Sequence, residues 1–345
     1  GRAAEMGLLF RKGTALEALA RADTVVLDKT GTLTRGKPTL VRVLPFGLSQ
    51  EEALRLAAAL ERGSEHPLAK AVLEAAESLP QAQAEEVRAL PGEGVEGRVE
   101  GRRLHLGGPA LMERLGVPLP EEAKALPEEG YTPLYLVEGT RLLAAFAVFD
   151  PPRPEAQEAV AALKALGLKL VLLTGDHPAP ARRVAEALGI PEVLAGVRPE
   201  GKVEAIRRLQ AEGRKVVFVG DGINDAAALA QADVGLAMGS GTDIALEAGD
   251  VVLLTPDLRG VVNAVRLARR TLRTIYLNFF WAYAYNVVLI PVAAGALYPF
   301  TGLLLNPMLA AAAMSLSSLF VLTNSLRLRA FRPQALPSLN PAASS

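Results

Sequence analysis

Short apolar runs alternate with longer amphipathic stretches along most of the chain, and two long apolar runs close it. Thr24-Val25-Val26-Leu27, residues 168–173 and residues 216–219 are short apolar runs. Each ends in a loop bearing Asp or Thr-Gly, as buried parallel strands do. Residues 154–166, 179–188 and 202–212 have helical apolar spacing and close near Gly167, Gly189 and Gly213, which suit helix C-termini. This alternation predicts a doubly wound parallel sheet whose ligand site lies at the carboxyl ends of its strands. After the first strand comes a stretch of about a hundred residues of different character, with turn and strand signals of its own. It includes the turn Pro91-Gly92-Glu93-Gly94 and the strand candidate Leu134-Tyr135-Leu136-Val137, and it reads as an inserted α+β domain.

Residues 275–297 contain no charge, and neither do residues 303–322. Each run is long enough, as a helix, to cross roughly 30 Å of hydrocarbon. Arg266, Arg269, Arg270 and Arg273 precede the first run, Arg327, Arg329 and Arg332 follow the second, and the turn at 298–302 is uncharged. That asymmetry predicts a transmembrane hairpin with both ends cytoplasmic. A buried hairpin of a soluble core is the alternative, but such helices carry a polar stripe, and these lack one.

At 345 residues the chain can bury more than one core. Its 37 Lys and Arg balance 37 Asp and Glu, so no global basic field points to nucleic acid as a partner. With no cysteine, neither disulfides nor thiolate metal sites are available, and a soft metal would need other ligands. The chain begins at Gly1 with no charged-then-apolar leader, so it is expected to be a fragment of something longer.

Asp28-Lys29-Thr30-Gly31-Thr32-Leu33-Thr34 follows the first strand directly. This puts the Asp28 carboxylate at the ligand edge of the sheet, ahead of a glycine turn whose amides can face a phosphate. A loop aspartate with a turn glycine is the bland reading. All seven residues, however, match the phosphorylation motif of P-type ATPases, and the chain resembles that family. The resemblance implies a haloacid-dehalogenase-like phosphorylation domain in which Asp28 is the nucleophile that forms an aspartyl phosphate. Phosphatases of the same general fold resemble Asp-x-Asp, whose second carboxylate hastens hydrolysis of the intermediate. Thr30 stands there instead, which suits a phosphoenzyme that persists.

The resemblance extends to Thr174-Gly175-Asp176, with Thr174 facing a phosphoryl oxygen, and to Lys202 as a fixed positive charge on the transferring group. It also covers Gly220-Asp221-Gly222-Ile223-Asn224-Asp225, and implies Mg²⁺ held by Asp28, Asp221 and the Thr30 carbonyl. Lys29, Gly175, Asp176, Asn224 and Asp225 complete the expected catalytic set. Residues 232–243 are expected to serve as hinge and packing. His177 stands where these pumps commonly carry asparagine and is given no catalytic role.

Within the insert, Ser64-Glu65-His66-Pro67 matches the string that distinguishes heavy-metal pumps. By that resemblance ATP binds here. His66 would stack on or hydrogen-bond to adenine, Pro67 would stiffen the approach, and Glu61 resembles the adenine-contacting glutamate. Gly92, Gly94 and Gly107 would let backbone approach the nucleotide. Where the family often has Gly-Asn the chain reads Gly107-Gly108, so one side-chain contact is missing. His105 is taken as structural.

Tyr285 and Asn286 in the first apolar run, with Met314, Ser317 and Ser318 in the second, resemble the Cu(I)-type subgroup. A thioether suits a soft monovalent ion, for which Ag(I) is a surrogate. Zinc-type relatives would place lysine and aspartate there, and neither run contains either. Helix-to-helix contact is the bland role for such Asn and Ser residues. The family's Cys-Pro-Cys and Thr-Gly-Glu motifs do not occur in the chain, so an upstream actuator domain and further transmembrane helices are expected partners.

The organisation expected on this basis runs as follows. Residues 1–36 form a membrane-helix exit and the first part of the phosphorylation domain, 37–143 the nucleotide-binding domain, and 144–268 the second part of the phosphorylation domain. Residues 269–328 form two transmembrane helices and 329–345 a cytoplasmic tail. The resemblance implies a multi-pass protein of the cell membrane with cytoplasmic catalytic domains, driving heavy-metal export. A Mg²⁺-dependent phosphatase, a Zn(II) pump and a nucleotide-binding regulatory module are the alternatives.

Overall fold

A computed structural model describes residues 2–64, 66–222, 225–238, 249–293, 315–316, 319 and 322–323. The readings on Asn224, Met314, Ser317, Ser318, residues 239–243 and most of the second apolar run lie outside those residues. The strands are β1 (Leu8–Phe10), β2 (Thr24–Asp28), β3 (Thr39–Pro45), β4 (Ala84–Leu90), β5 (Gly94–Val99), β6 (Arg102–Gly107), β7 (Thr132–Glu138), β8 (Arg141–Phe149), β9 (Lys169–Leu173), β10 (Glu192–Leu194), β11 (Val216–Asp221), β12 (Val234–Met238) and β13 (Val251–Leu253).

The chain divides into two units. The first holds Gly1–Val25, Ala165–Lys169 and Ile206–Ser345. In it β11, β12 and β13 run parallel, and β1 closes the edge antiparallel to β13. The amides of Asp23 and Thr24 donate to the Lys215 carbonyl, and the Lys169 amide donates to the Asp23 carbonyl. The start of β2 is thereby held between the starts of β11 and β9, and the strand order reads β1-β13-β12-β11-β2-β9-β10. All five residues of β2 are buried, as a strand covered on both faces requires.

One expectation is corrected here. Part of the stretch read as hinge is β12, with all five residues buried. Its small residues hide the strand signal, while the packing role holds: a Cβ on Gly235 would lie 2.3 Å from the Leu229 carbonyl oxygen.

A single helix runs Arg259–Ala293. It starts well before the apolar run expected from residue 275, because the arginines ahead of that run are good helix formers and no breaker intervenes. Its first turns bury Val261, Val262, Val265 and Ala268, whereas Phe279, Phe280, Tyr283 and Ile290 are exposed. By length and composition the segment Arg259–Val292 can cross a membrane. The expected division at 268/269 falls inside this helix.

The second unit holds Val26–Lys164 and Leu170–Ala205. In it β9 and β10 run parallel, and a separate six-stranded antiparallel sheet has the order β3-β8-β7-β6-β5-β4. The strand alternation of β7 divides its side chains between two cores. Leu134 and Leu136 meet Leu56, Leu60 and Val72 from the helices Gln50–Glu61 and Pro67–Ala75. Tyr135 and Val137 meet Leu111, Met112 and Leu126 on the other face. The Tyr135 hydroxyl donates to the Ala123 carbonyl at 2.9 Å, and burial pushes its phenol up to about 12. The expected division at 143/144 falls inside β8, the strand that leads the chain out of this sheet.

Candidate active site

Asp28 is the last residue of β2 and is 4% exposed. Lys202, the first residue of the helix Lys202–Ala211, sets its ammonium 3.3 and 3.2 Å from the two Asp28 carboxylate oxygens. Beyond Asp28 the backbone turns sharply: Thr30 is extended and exposed, and Gly31 takes φ +78°, a conformation that favours glycine. Lys29 is buried and pairs with Asp176, which ties this turn to the one that follows β9. In that second turn the Thr174 hydroxyl accepts from the Asp176 amide at 3.1 Å. Thr174 is 2% exposed. The second unit thus brings together Asp28, Lys29, Asp176 and Lys202, with Thr174 holding the Asp176 backbone. The result is a buried carboxylate with one fixed cation against it and a second ion pair beside it, an arrangement of the kind that stabilises an anionic group in transfer.

Thr34 was read only as the end of the seven-residue motif, and Asp150 and Arg153 were not singled out from the sequence. The Thr34 hydroxyl donates to Asp150 Oδ2 at 2.7 Å and accepts from the Gly31 amide at 3.2 Å. Arg153 donates from Nε to the Thr32 carbonyl at 2.8 Å and from Nη2 to the Gly31 carbonyl at 3.3 Å. Its own amide donates to Leu33 O at 2.7 Å, and Thr34 and Pro152 form an antiparallel bridge. Asp150-Pro151-Pro152-Arg153-Pro154 therefore clasps the turn. The available signal was a stiff, proline-rich segment with an acid and a base, placed directly after an apolar run.

In the first unit Asp221 ends β11, and its amide donates to the Asp225 carboxylate at 3.1 Å. Asp225 is 3% exposed and precedes the helix Ala226–Gln231. Its carboxylate thus holds the backbone of Asp221. A Cβ on Gly220 would come 2.8 Å from that carboxylate and 2.6 Å from the Phe218 ring, so the turn has no room for a side chain.

Of the residues expected at the nucleotide, Glu61, His66, Gly92, Gly94 and Gly107 line a cavity of about 720 Å³ in the second unit, while Pro67 is the first residue of the helix Pro67–Ala75. The cavity walls also include His177, and the volume suits a nucleotide-sized ligand. Glu61 ends the helix Gln50–Glu61 and is 9% exposed; burial pushes its carboxyl up to about 7. His66 caps the helix Pro67–Ala75 by accepting the Leu68 amide at Nδ1, 3.2 Å away. An accepting Nδ1 leaves the proton on Nε2, which is the atom available to a ligand. Gly94 and Gly107 lie opposite each other on β5 and β6. A Cβ on Gly94 would sit 2.1 Å from Leu106 O, and one on Gly107 would sit 2.2 Å from Glu93 O. The bareness of these two positions serves the strand pair as well as the cavity.

His105, on the same sheet, places Nε2 2.9 Å from Glu96 Oε2. Burial of the Glu96 carboxyl opposes its ionisation, but Arg88 and His105 outweigh that and hold it below the usual carboxylate range. On the long helix, Tyr285 is half-buried and Asn286 exposed.

A model of the haloacid dehalogenase-like hydrolases matches residues 22–233. Copper-transporting ATPase 1 of Rhizobium meliloti (strain 1021) is 51% identical over 339 residues, which is 96% of this chain and 41% of that protein. Among solved structures, a zinc-transporting PIB-type ATPase in its E2.Pi state gives a TM-score of 0.75 at 39% identity, over 94% of this chain and 53% of that one. The catalytic domain of the CPx-ATPase CopB-B gives 0.63 at 28% identity, over 77% of this chain and 98% of that domain. The chain spans less than half the length of the curated relative. It belongs to the haloacid dehalogenase-like hydrolases and falls among their P-type ATPase members.

Proposed function

We propose that this chain is the ATP-binding and phosphorylated part of a pump that exports a heavy-metal cation, Cu(I), across a cell membrane. The observation that carries the reading is the buried Asp28 carboxylate held 3.2 Å from the Lys202 ammonium at the end of β2. An Asp28 oxygen attacks the γ-phosphorus of ATP, the bond to the bridging oxygen breaks, and ADP leaves with that oxygen's electrons. Lys202 balances charge on the transferring group, and the Lys29–Asp176 pair fixes the turn around it. Asp28 and the Thr30 carbonyl in the second unit offer oxygen donors of the kind Mg²⁺ takes, and Asp221 in the first unit is a further carboxylate of that kind. Among the described residues no group of three His, Cys, Asp or Glu could cage a metal. When bound, Mg²⁺ supplies positive charge that offsets the triphosphate.

The adenine end falls to the cavity, where His66 Nε2–H and the Glu61 carboxyl supply polar contacts on largely apolar walls. We place Tyr285, Asn286, Met314, Ser317 and Ser318 on the path of the metal, with the lipid bilayer, an actuator domain and further helices as the chain's partners. Copper is favoured over the zinc of the structural neighbour because neither apolar run carries the lysine or aspartate that a zinc site would use.

Incubating the whole pump with γ-labelled ATP tests the first part. The expected product is an acid-stable phosphoprotein that hydroxylamine cleaves and that Asp28→Asn abolishes; label that survives this substitution overturns the assignment. For the metal, turnover should rise with Cu(I) or Ag(I) and lose that response in Met314→Leu. Stimulation by Zn²⁺ alone would refute copper.

A further inference from the structure

The cavity wall carries one imidazole to which the reading above assigns no task. His177 is exposed and follows Asp176, in the turn that links β9 to the helix Pro178–Leu188. It occupies the N-cap position of that helix, yet its side chain makes no capping hydrogen bond. His177 instead lines the same cavity as Glu61, His66 and Gly94. Pro178 and Pro180 have no N–H, so two of the four amides that a helix N-terminus ordinarily offers an anion are missing, leaving those of His177 and Ala179.

The chain path decides which part of a nucleotide His177 meets. Glu61 and His66 mark the base end of the cavity under the proposed function. The terminal phosphate must reach Asp28, beside which Lys29 binds Asp176. His177 is covalently next to Asp176, so a nucleotide stretched from Glu61 to Asp28 passes the imidazole with its phosphate chain. We propose that His177 is a phosphate-contacting residue of the nucleotide site, donating a ring N–H to the ATP polyphosphate and supplying the donor that the two prolines withhold. This proposal rests on the ATP-binding reading above and adds to it the residue that separates ATP from AMP.

The test uses this chain in detergent and compares ATP with AMP by calorimetric titration. One hydrogen bond to a phosphate predicts that His177→Ala weakens ATP binding about 3- to 10-fold while AMP binding changes less than about 2-fold. His177→Asn, which keeps an N–H donor on a shorter side chain, should lie between them. His177 is exposed, so neither substitution removes a buried contact. Equal weakening of ATP and AMP, or no weakening of either, overturns the proposal. If the unsubstituted chain binds neither nucleotide, the ATP-binding reading itself fails, an outcome distinct from loss of the His177 effect alone.

Discussion

The turn after Asp28 and the cavity around Glu61 lie in one unit, yet they handle charge in opposite ways. At the turn every buried charge has an opposite within reach: Asp28 faces Lys202 and Lys29 faces Asp176. Neutral donors and carbonyls are clasped as well, by Thr34, Asp150 and Arg153. In the cavity, Glu61 is buried enough that its carboxyl shifts to about 7, with burial as the cause. The first arrangement costs no reorganisation when charge moves. The second leaves an apolar surface with a few polar atoms to be completed by a ligand. Chemistry and recognition are thus separated into a site satisfied by the protein itself and a site satisfied by what enters it.

The sharpest way to break that contrast is to unpair the turn. Lys202→Ala leaves the Asp28 carboxylate buried without its 3.2 Å partner. Phosphoenzyme formation, followed by quenched-flow labelling, should fall on the order of 10²- to 10³-fold, with nucleotide affinity nearly unchanged. A comparable loss of affinity would show that the two sites are not energetically separate. Arg153→Ala probes the clasp, which holds the Gly31 and Thr32 carbonyls from outside the reacting centre. Misplacing the turn should slow phosphorylation roughly 100-fold, again at constant nucleotide affinity. Arg153→Lys, which keeps a cation with fewer fixed donors, should recover part of the rate. Equal rates in the alanine and lysine variants would count against a positioning role.

The same contrast explains what the sequence made legible. Asp28, Lys29 and Thr30 are consecutive and follow an apolar run, so strand, nucleophile and turn can be read together. The clasp cannot be read that way, because Arg153 meets Thr32 across 121 positions of sequence and the donors and acceptors it joins are backbone groups. β12 escaped notice because Gly235 and Ala237 dilute its apolar pattern, although burial of all five residues defines it in the fold. Glu61 was recognisable as a candidate contact, but its burial was not. A glutamate at a helix end reads as solvated until Leu56 and Leu60 of the same helix are seen packed on the sheet. The cavity also joins positions from Glu61 to His177, and neither hydrophobic period nor spacing announces that closure.

Glu61 gives the next test, through pH. Its carboxyl is raised from 4.5 to about 7 by burial, so the folded state favours the protonated form. The stabilisation is fully present below pH 4.5 and is lost as pH rises through about 7. Glu61→Gln removes this titration. Urea unfolding of the chain in detergent at pH 4.5 and pH 8 should show the variant gaining about 3 kcal/mol on the wild type across that range. Parallel pH profiles for the two proteins would mean that Glu61 is solvated after all, and the contrast between the sites would lose its clearest member.

The smallest effect separates support from recognition within the cavity wall. His66 has two ring nitrogens, and the fold uses only one: Nδ1 accepts the Leu68 amide and caps the helix Pro67–Ala75. An asparagine at position 66 retains a capping acceptor, whereas alanine does not. His66→Ala should therefore cost about 1 kcal/mol of stability in urea unfolding, and His66→Asn only a few tenths. Both variants lose the Nε2 donor, so both should bind ATP several-fold more weakly, by the worth of one hydrogen bond. Two readouts that separate in this way place the cap on Nδ1 and the ligand on Nε2. If affinity instead followed stability, falling in the alanine variant and surviving in the asparagine one, His66 would belong to the scaffold, and recognition would rest on Glu61 and the apolar walls.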